Sequence, residues 1–397
     1  MKKVLIVILI VVVSLAAIIY GGVFLGHKVI FPIKYSNVPT IPVLTDGVFT
    51  FGPQAHPVQP KNIDEYIQLL SQQIKIYNEI APYMWPDNAF VNQSAVIEEI
   101  TTERFFYIEA DGKITPLSKN EALKFGFYRA AYTGGFSFYE GSLNGASGEG
   151  VYLAIDKNDI TNLLMWQKYL HLGTYDSIIF LTHEGFHAKV QTKWQKPVNV
   201  YNREREEFSD NIPARAKRHV LQKQLLKAAN RPGDTALILE TLSTYADWKK
   251  QFPDDYRNSI FFDRIEGTAY YFELVTSLYM GYPDQIKNEK DIDSALALLA
   301  TREDIYLSYG LISESYTVGG FACVLLERLG INWKEIINND PDATPIEMLL
   351  QYYENETLPE PRQVTQEETD IVIAKINSPS LNRGMPLFFK FLFDLLF

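Results

Sequence analysis

The chain has 397 residues, with 37 Lys and Arg against 48 Asp and Glu, so its formal charge is −11. That balance, with no long basic run, excludes a nucleic-acid partner, because a phosphate backbone needs a positive face. Hydrophobic residues at 47 % and charged ones at 21 % exclude a mainly disordered chain, and the lone Cys323 excludes both an intrachain disulfide framework and a cysteine-based zinc finger.

Met1, Lys2 and Lys3 precede an apolar run from Val4 to Leu25. A run of this length suffices to cross a bilayer and exceeds the core of a signal peptide, and no small-x-small cleavage site follows it. The expectation is an uncleaved anchor over residues 1–28, its N-terminus cytoplasmic and the rest of the chain extracytoplasmic, with a cleaved signal peptide as the rival. Prolines at 32, 39, 42, 53, 57 and 60 suit an extended stalk or strap over 29–61.

Folded structure is expected over 62–397, an α/β part at 62–175 followed by a helical part at 176–397. Ile67, Leu70, Ile74 and Ile80 recur at helical spacing and predict a helix over Asp64–Ile80. Arg104–Glu109 and Lys113–Leu117, joined by Ala110, Asp111 and Gly112, predict a hairpin. Gly134–Gly150 is rich in Gly and Ser and reads as a loop, with Val151–Ile155 as a strand after it. Helices are expected over Glu204–Ala229, Thr235–Lys250, Phe261–Met280 and Ser315–Leu329, and the basic stretch Arg215–Lys227 reads as an exposed helix face. The apolar tail Met385–Phe397 is too short to span a membrane and suits a core-completing element or an interfacial helix. The fold class is therefore α+β, predominantly α-helical, with a small β-element ahead of the segment that carries the chemistry.

That segment is His183-Glu184-Gly185-Phe186-His187, an HExxH pattern that uses two of the chain's six histidines. Residues four apart share one face of an α-helix, so both rings can reach one metal ion. Glu184, about 100° round the helix, is placed to act as general base toward water activated by that ion. Ile179, Phe186 and Val190 supply a buried side. Two positions compete as third ligand. Glu266 lies 79 residues past His187 in a predicted helix, where Gly267 and Ala269 are small enough to let that helix approach the motif. Glu206 and Glu207 lie 19 and 20 residues past it, in a segment of mixed charge that otherwise reads as a solvated helix start.

HEGFH at 183–187, EGTAYY at 266–271 and Tyr316-Thr317-Val318-Gly319-Gly320 before an apolar helix resemble gluzincin-type zinc metallopeptidases, more narrowly the peptidase-MA-like bacterial proteins. The resemblance covers roughly residues 177–333. It implies a zincin-like catalytic domain, Zn²⁺ as cofactor, a peptide or protein substrate, His183, His187 and Glu266 as ligands and Glu184 as base. The spacing to Glu266 is longer than the short spacing of thermolysin. Tyr316, ahead of two glycines where backbone can come close to substrate, is the first candidate for an oxyanion donor, with Tyr270, Tyr271 and His219 as rivals. Asp210 and Asp263 are candidates to orient the ligand histidines. The expectation is a membrane-anchored extracytoplasmic zinc metallopeptidase; the alternative is a non-catalytic envelope scaffold with a structural or vestigial zinc site. Cys323 is expected to be buried and inert, and the sequons at Asn92 and Asn355 are short enough to arise by chance.

Overall fold

The computed structural model describes residues 44–45, 50–51, 62–86, 92–129, 135–143, 146–155, 180–194 and 211–377, with Pro60, Phe90, Thr174 and Ile178 singly. The expected anchor, nearly all of the stalk, Ile179, Glu206, Glu207, Asp210 and the apolar tail lie outside those residues. Among the described residues no helix is long and apolar enough to cross a membrane.

A two-residue strand pair, β1 (Leu44–Thr45) and β2 (Thr50–Phe51), precedes helix α1 (Ile63–Met84). Asn62 starts α1 by accepting the Glu65 backbone N–H at 2.9 Å, a cap worth about 1 kcal/mol. Tyr66, Ile67, Leu70, Ile74 and Tyr77 form its buried face. A five-stranded sheet follows, built from β3 (Gln93–Glu99), β4 (Arg104–Ile108), β5 (Ile114–Leu117), β6 (Phe136–Leu143) and β7 (Ala146–Ile155), in the order β5-β4-β3-β7-β6. Between β5 and β6 lies the short helix α2 (Lys119–Ala122), closed by a reciprocal Ser118–Glu121 capping box. Strand β3 runs parallel to β7, and every other pairing is antiparallel.

The β-element is thus larger than expected. The predicted hairpin is present as β4 and β5, but Gly134–Gly150 is no loop, because most of it forms β6 and the first half of β7. Glycine there serves close strand approach. A Cβ on Gly150 would lie 2.0 Å from the Ser94 carbonyl and 2.6 Å from the Tyr139 hydroxyl. The register pairs Leu143 with Ala146 at the end of the β6–β7 ladder.

Both sheet faces are covered. Ala95, Ile97, Val151, Leu153 and Ile155 join the main core with α1 and the later helices, whereas Val96, Phe105, Tyr107 and Tyr152 join a second, smaller cluster with Phe125, Phe127 and Tyr139. Strands buried on both sides lose the apolar-polar alternation that marks a half-exposed sheet, which is why β3 went unpredicted.

The helical part begins with the motif segment, a π-helical turn at Phe180–Glu184 running into α3 (Gly185–Lys189). Then come α4 (Ile212–Asn230), α5 (Thr235–Gln251), α6 (Pro253–Gly281), α7 (Glu289–Leu299), α8 (Glu303–Tyr306), α9 (Leu311–Arg328), α10 (Trp333–Asn339), α11 (Pro345–Tyr352) and α12 (Gln366–Asn377). The protein is mixed α+β and mostly helical. One expectation fails here: the basic stretch of α4 is no solvated face, since Arg215 and Arg218 are 0 % exposed and Lys217, His219 and Gln222 are buried with them. Cys323 is buried, as expected.

Candidate metal centre

The motif segment is held from below by aromatic packing. Phe186 is fully buried and meets Trp85 edge-on at 4.6 Å, Phe272 at 5.1 Å and Phe90 at 6.2 Å between ring centroids. Removing such a ring costs about 3–5 kcal/mol. On the opposite side of the segment the side chains of His183, Glu184 and His187 converge, each offering an atom within 4.8 Å of the others. The π-helical turn through His183 replaces the plain α-helix expected; such single turns recur at functional sites.

Helix α6 brings Glu266 to the same point. Its Oε2 lies 3.2 Å from His183 Nε2 and 3.4 Å from His187 Nε2. Four-coordinate zinc with bonds of about 2.0–2.1 Å has its ligand atoms about 3.3 Å apart along each tetrahedron edge. Glu266 Oε2 therefore lies at the spacing of a zinc-ligand edge from each of the two imidazole Nε2 atoms. Of the competing third positions, only Glu266 is among the described residues.

The outer ring nitrogens are also engaged. Gln191 donates its amide N–H groups to the Ile265 carbonyl at 2.7 Å and to Thr268 Oγ1 at 2.9 Å, while Thr268 itself donates to the Arg264 carbonyl at 2.7 Å. The amide orientation is fixed by the Ile265 carbonyl, which can only accept. Gln191 Oε1, 2.6 Å from His187 Nδ1, must then accept the ring N–H, so that the neutral form of the ring carries its lone pair on Nε2, toward Glu266. On His183, Nδ1 lies 2.9 Å from Oε2 of the buried Glu273.

Electrostatics follow from this packing. Burial opposes a charged His183 ring, but Glu266 and Glu273 on either side outweigh it and hold the pKa up at about 9. Burial would likewise raise Glu266, yet contacts with His183 and His187 keep its carboxyl well below the usual range. Tyr316, on α9, stacks on the His183 ring with centroids 5.4 Å apart and planes 12° from parallel. Burial first, then the Glu266 charge, raises its phenol well above the ordinary value, so the hydroxyl stays a proton donor.

The donors open onto a cavity of about 330 Å³ lined by Glu184, His187, Gln191, Phe261, Ile265, Glu266 and Tyr316. Tyr316 is the only one of the four candidate oxyanion donors in that lining. Tyr270 is buried edge-on to Tyr316, Tyr271 packs on Trp333, and His219 stacks on Tyr309 elsewhere.

Three expectations about the surroundings are corrected. Asp263 does not orient a histidine; it pairs with Arg218 at 2.6 and 2.9 Å. Glu273 and Gln191 contact the rings instead. Gly267 does not ease approach to the motif helix, since a Cβ there would lie 2.3 Å from Gly319 Cα, on α9. Gly319 and Gly320 accordingly serve a helix crossing and not substrate access. Gln191 carries a usable signal, being four residues past His187 on the same helical face; Glu273 carries none, because its partner is remote in sequence.

The chain matches no protein-family model, no curated protein and no solved structure.

Proposed function

We propose that this protein is a zinc-dependent peptidase, tethered to a membrane by its apolar N-terminal run, with its catalytic domain extracytoplasmic. The observation that carries the reading is the meeting of Glu266 Oε2 with both imidazole Nε2 atoms at 3.2 and 3.4 Å, beside Glu184 and at the mouth of a cavity. His183, His187 and Glu266 would hold the ion. When bound, Zn²⁺ lowers the pKa of water toward 7 and polarises a carbonyl.

The chain's own groups do the rest. Glu184 takes the proton from the attacking water and passes it to the departing amine. Tyr316 donates its O–H to the oxygen on which negative charge develops. Gln191 keeps His187 in the tautomer that presents Nε2, and Glu273 steadies His183. Phe261 and Ile265, one helical turn apart on α6, give the cavity an apolar wall, which suits an apolar side chain next to the scissile bond.

The test is elemental analysis of the full-length chain as wild type, His187→Ala, Glu266→Gln and Glu184→Gln. The reading expects close to one zinc per chain in wild type and Glu184→Gln, a large loss in the other two, and a peptide-hydrolysis rate in Glu184→Gln lower by roughly 10²–10⁴-fold. A wild type that takes up no zinc when supplied with it sinks the reading. Full zinc with no hydrolysis by wild type assigns the ion a structural role.

A further inference from the structure

A second cluster of charge lies on the same two helices as Glu266 and Tyr316, and no step above uses it. Arg215 and Arg218 project from α4, both 0 % exposed. Arg215 pairs with Asp255 on α6 and with Glu314 on α9. Arg218 holds Asp263 on α6 through both terminal nitrogens, at 2.6 and 2.9 Å, and lies 3.6 Å from Glu314. Trp248 on α5 donates to Asp255 at 3.0 Å and presents its ring face to the Arg218 guanidinium at 4.7 Å. Gly310 N–H, at the start of α9, donates to Glu314 at 3.1 Å. Each guanidinium thus touches both site helices from a helix that has no residue in the cavity lining.

Stability is a weak reason for such an arrangement. Burying paired charges costs several kcal/mol of desolvation per ion, and apolar replacements of similar volume are often as stable. What buried pairs can supply is register. Helices α6 and α9 touch backbone to backbone at Gly267 and Gly319, with the Tyr270 ring over Gly320. The glycines permit that close approach, and the arginine pairs add directional contacts beside it. Asp263 is three residues before Glu266, and Glu314 is two before Tyr316, so a slip at the seam would separate the carboxylate from the phenol.

We propose that Arg218, with Arg215, is a positioning group of the metal centre, fixing the axial register of α6 against α9 and thereby the placement of Glu266 relative to Tyr316. The proposal rests on the peptidase reading. It makes a distinction that a purely structural role does not: site geometry should degrade in variants whose stability is intact.

The experiment compares full-length wild type, the apolar pair Arg218→Met with Asp263→Leu, and Arg218→Lys, which keeps the charge but loses the fork. Each is loaded with Co²⁺ and followed by thermal melting, by the visible Co²⁺ absorption bands and by kcat and KM on a fluorogenic peptide pool. The expected result is a melting temperature near wild type in at least one variant, shifted Co²⁺ bands, and kcat lower by about 10²-fold with KM little changed, the scale of a 1 Å misplacement. Unchanged bands and unchanged kcat in a folded variant overturn the proposal. Failure of both variants to fold also overturns it, by showing that the pairs carry the fold itself. A wild type that takes up no Co²⁺ overturns the peptidase reading along with it.

Discussion

Two charge clusters share α6, their nearest members Asp263 and Glu266 about one helical turn apart, and differ in what balances them. Around Arg215 and Arg218, three carboxylates face two guanidinium groups that can never lose their charge. Around Glu266 and Glu273, the facing groups are imidazoles, which are cations only while protonated. The first cluster is sealed, and burial raises Glu314 there to about 7 despite both arginines. The second opens onto a cavity through Glu184, His187 and Glu266, and its carboxylates favour the protonated form of His183, whose charge can be lost. A permanent cation suits a joint that must stay fixed. An exchangeable one suits a place where a metal ion displaces protons on binding.

The sharpest way to probe the open cluster leaves its proposed metal donors untouched. Tyr316→Phe removes one hydroxyl and preserves the ring stacked on His183. If that hydroxyl meets the developing oxyanion, kcat falls by about 10²–10³-fold while KM and zinc content stay near wild type. Steady-state kinetics on a peptide substrate checks this, and a fall in zinc content instead would place Tyr316 among the groups that support the ion.

A smaller effect is expected one step outward. Gln191→Met keeps the length of the side chain but loses the acceptor for His187 Nδ1 and the donors to Ile265 and Thr268. Zinc affinity, measured by competition with a chromogenic chelator, should weaken by 10–100-fold. An unchanged affinity would show that His187 is oriented by helix packing alone.

The contrast between the clusters also bears on what could be read in the sequence. HExxH announced the open cluster because its spacing is local, four residues on one helical face. Glu266 was reachable only by weighing a remote EGTAYY segment, and Glu273, seven residues beyond Glu266 on the same helix, gave no local sign. The sealed cluster was misread altogether. Arg215, Lys217 and Arg218 look like a solvated helix face, and it takes carboxylates far along the chain, at 255, 263 and 314 for the arginines and at 247 for Lys217, to pair them inside the protein. The same logic separates the strands. β4 and β5 carry a local turn signal, whereas β3, set between β4 and β7 and buried along its whole length, shows no alternation to read.

The smallest effect concerns a third buried group, which has no hydrogen-bond partner and only the Glu368 charge to favour its cation. His219 is 2 % exposed, neither ring nitrogen has a partner, and its ring stacks on Tyr309 with centroids 5.6 Å apart. Burial first, and then the nearby Lys223, lower its pKa to about 4 from an ordinary 6.5. Between those values the unfolded chain binds more protons at this site than the folded one, so this contribution to stability is present above pH 6.5 and declines as pH falls toward 4. From pH 6.5 to 5.5 the loss is about 1 kcal/mol, at 1.36 kcal/mol for each unit of separation. His219→Phe keeps an aromatic ring against Tyr309 and has nothing to protonate. Urea midpoints at pH 8.0 and 5.5, with chelator present so that metal linkage is absent, should fall less between the two pH values in the variant than in wild type. An equal fall would mean that water or a neighbouring side chain reaches the imidazole and lets it titrate as it does in the unfolded chain.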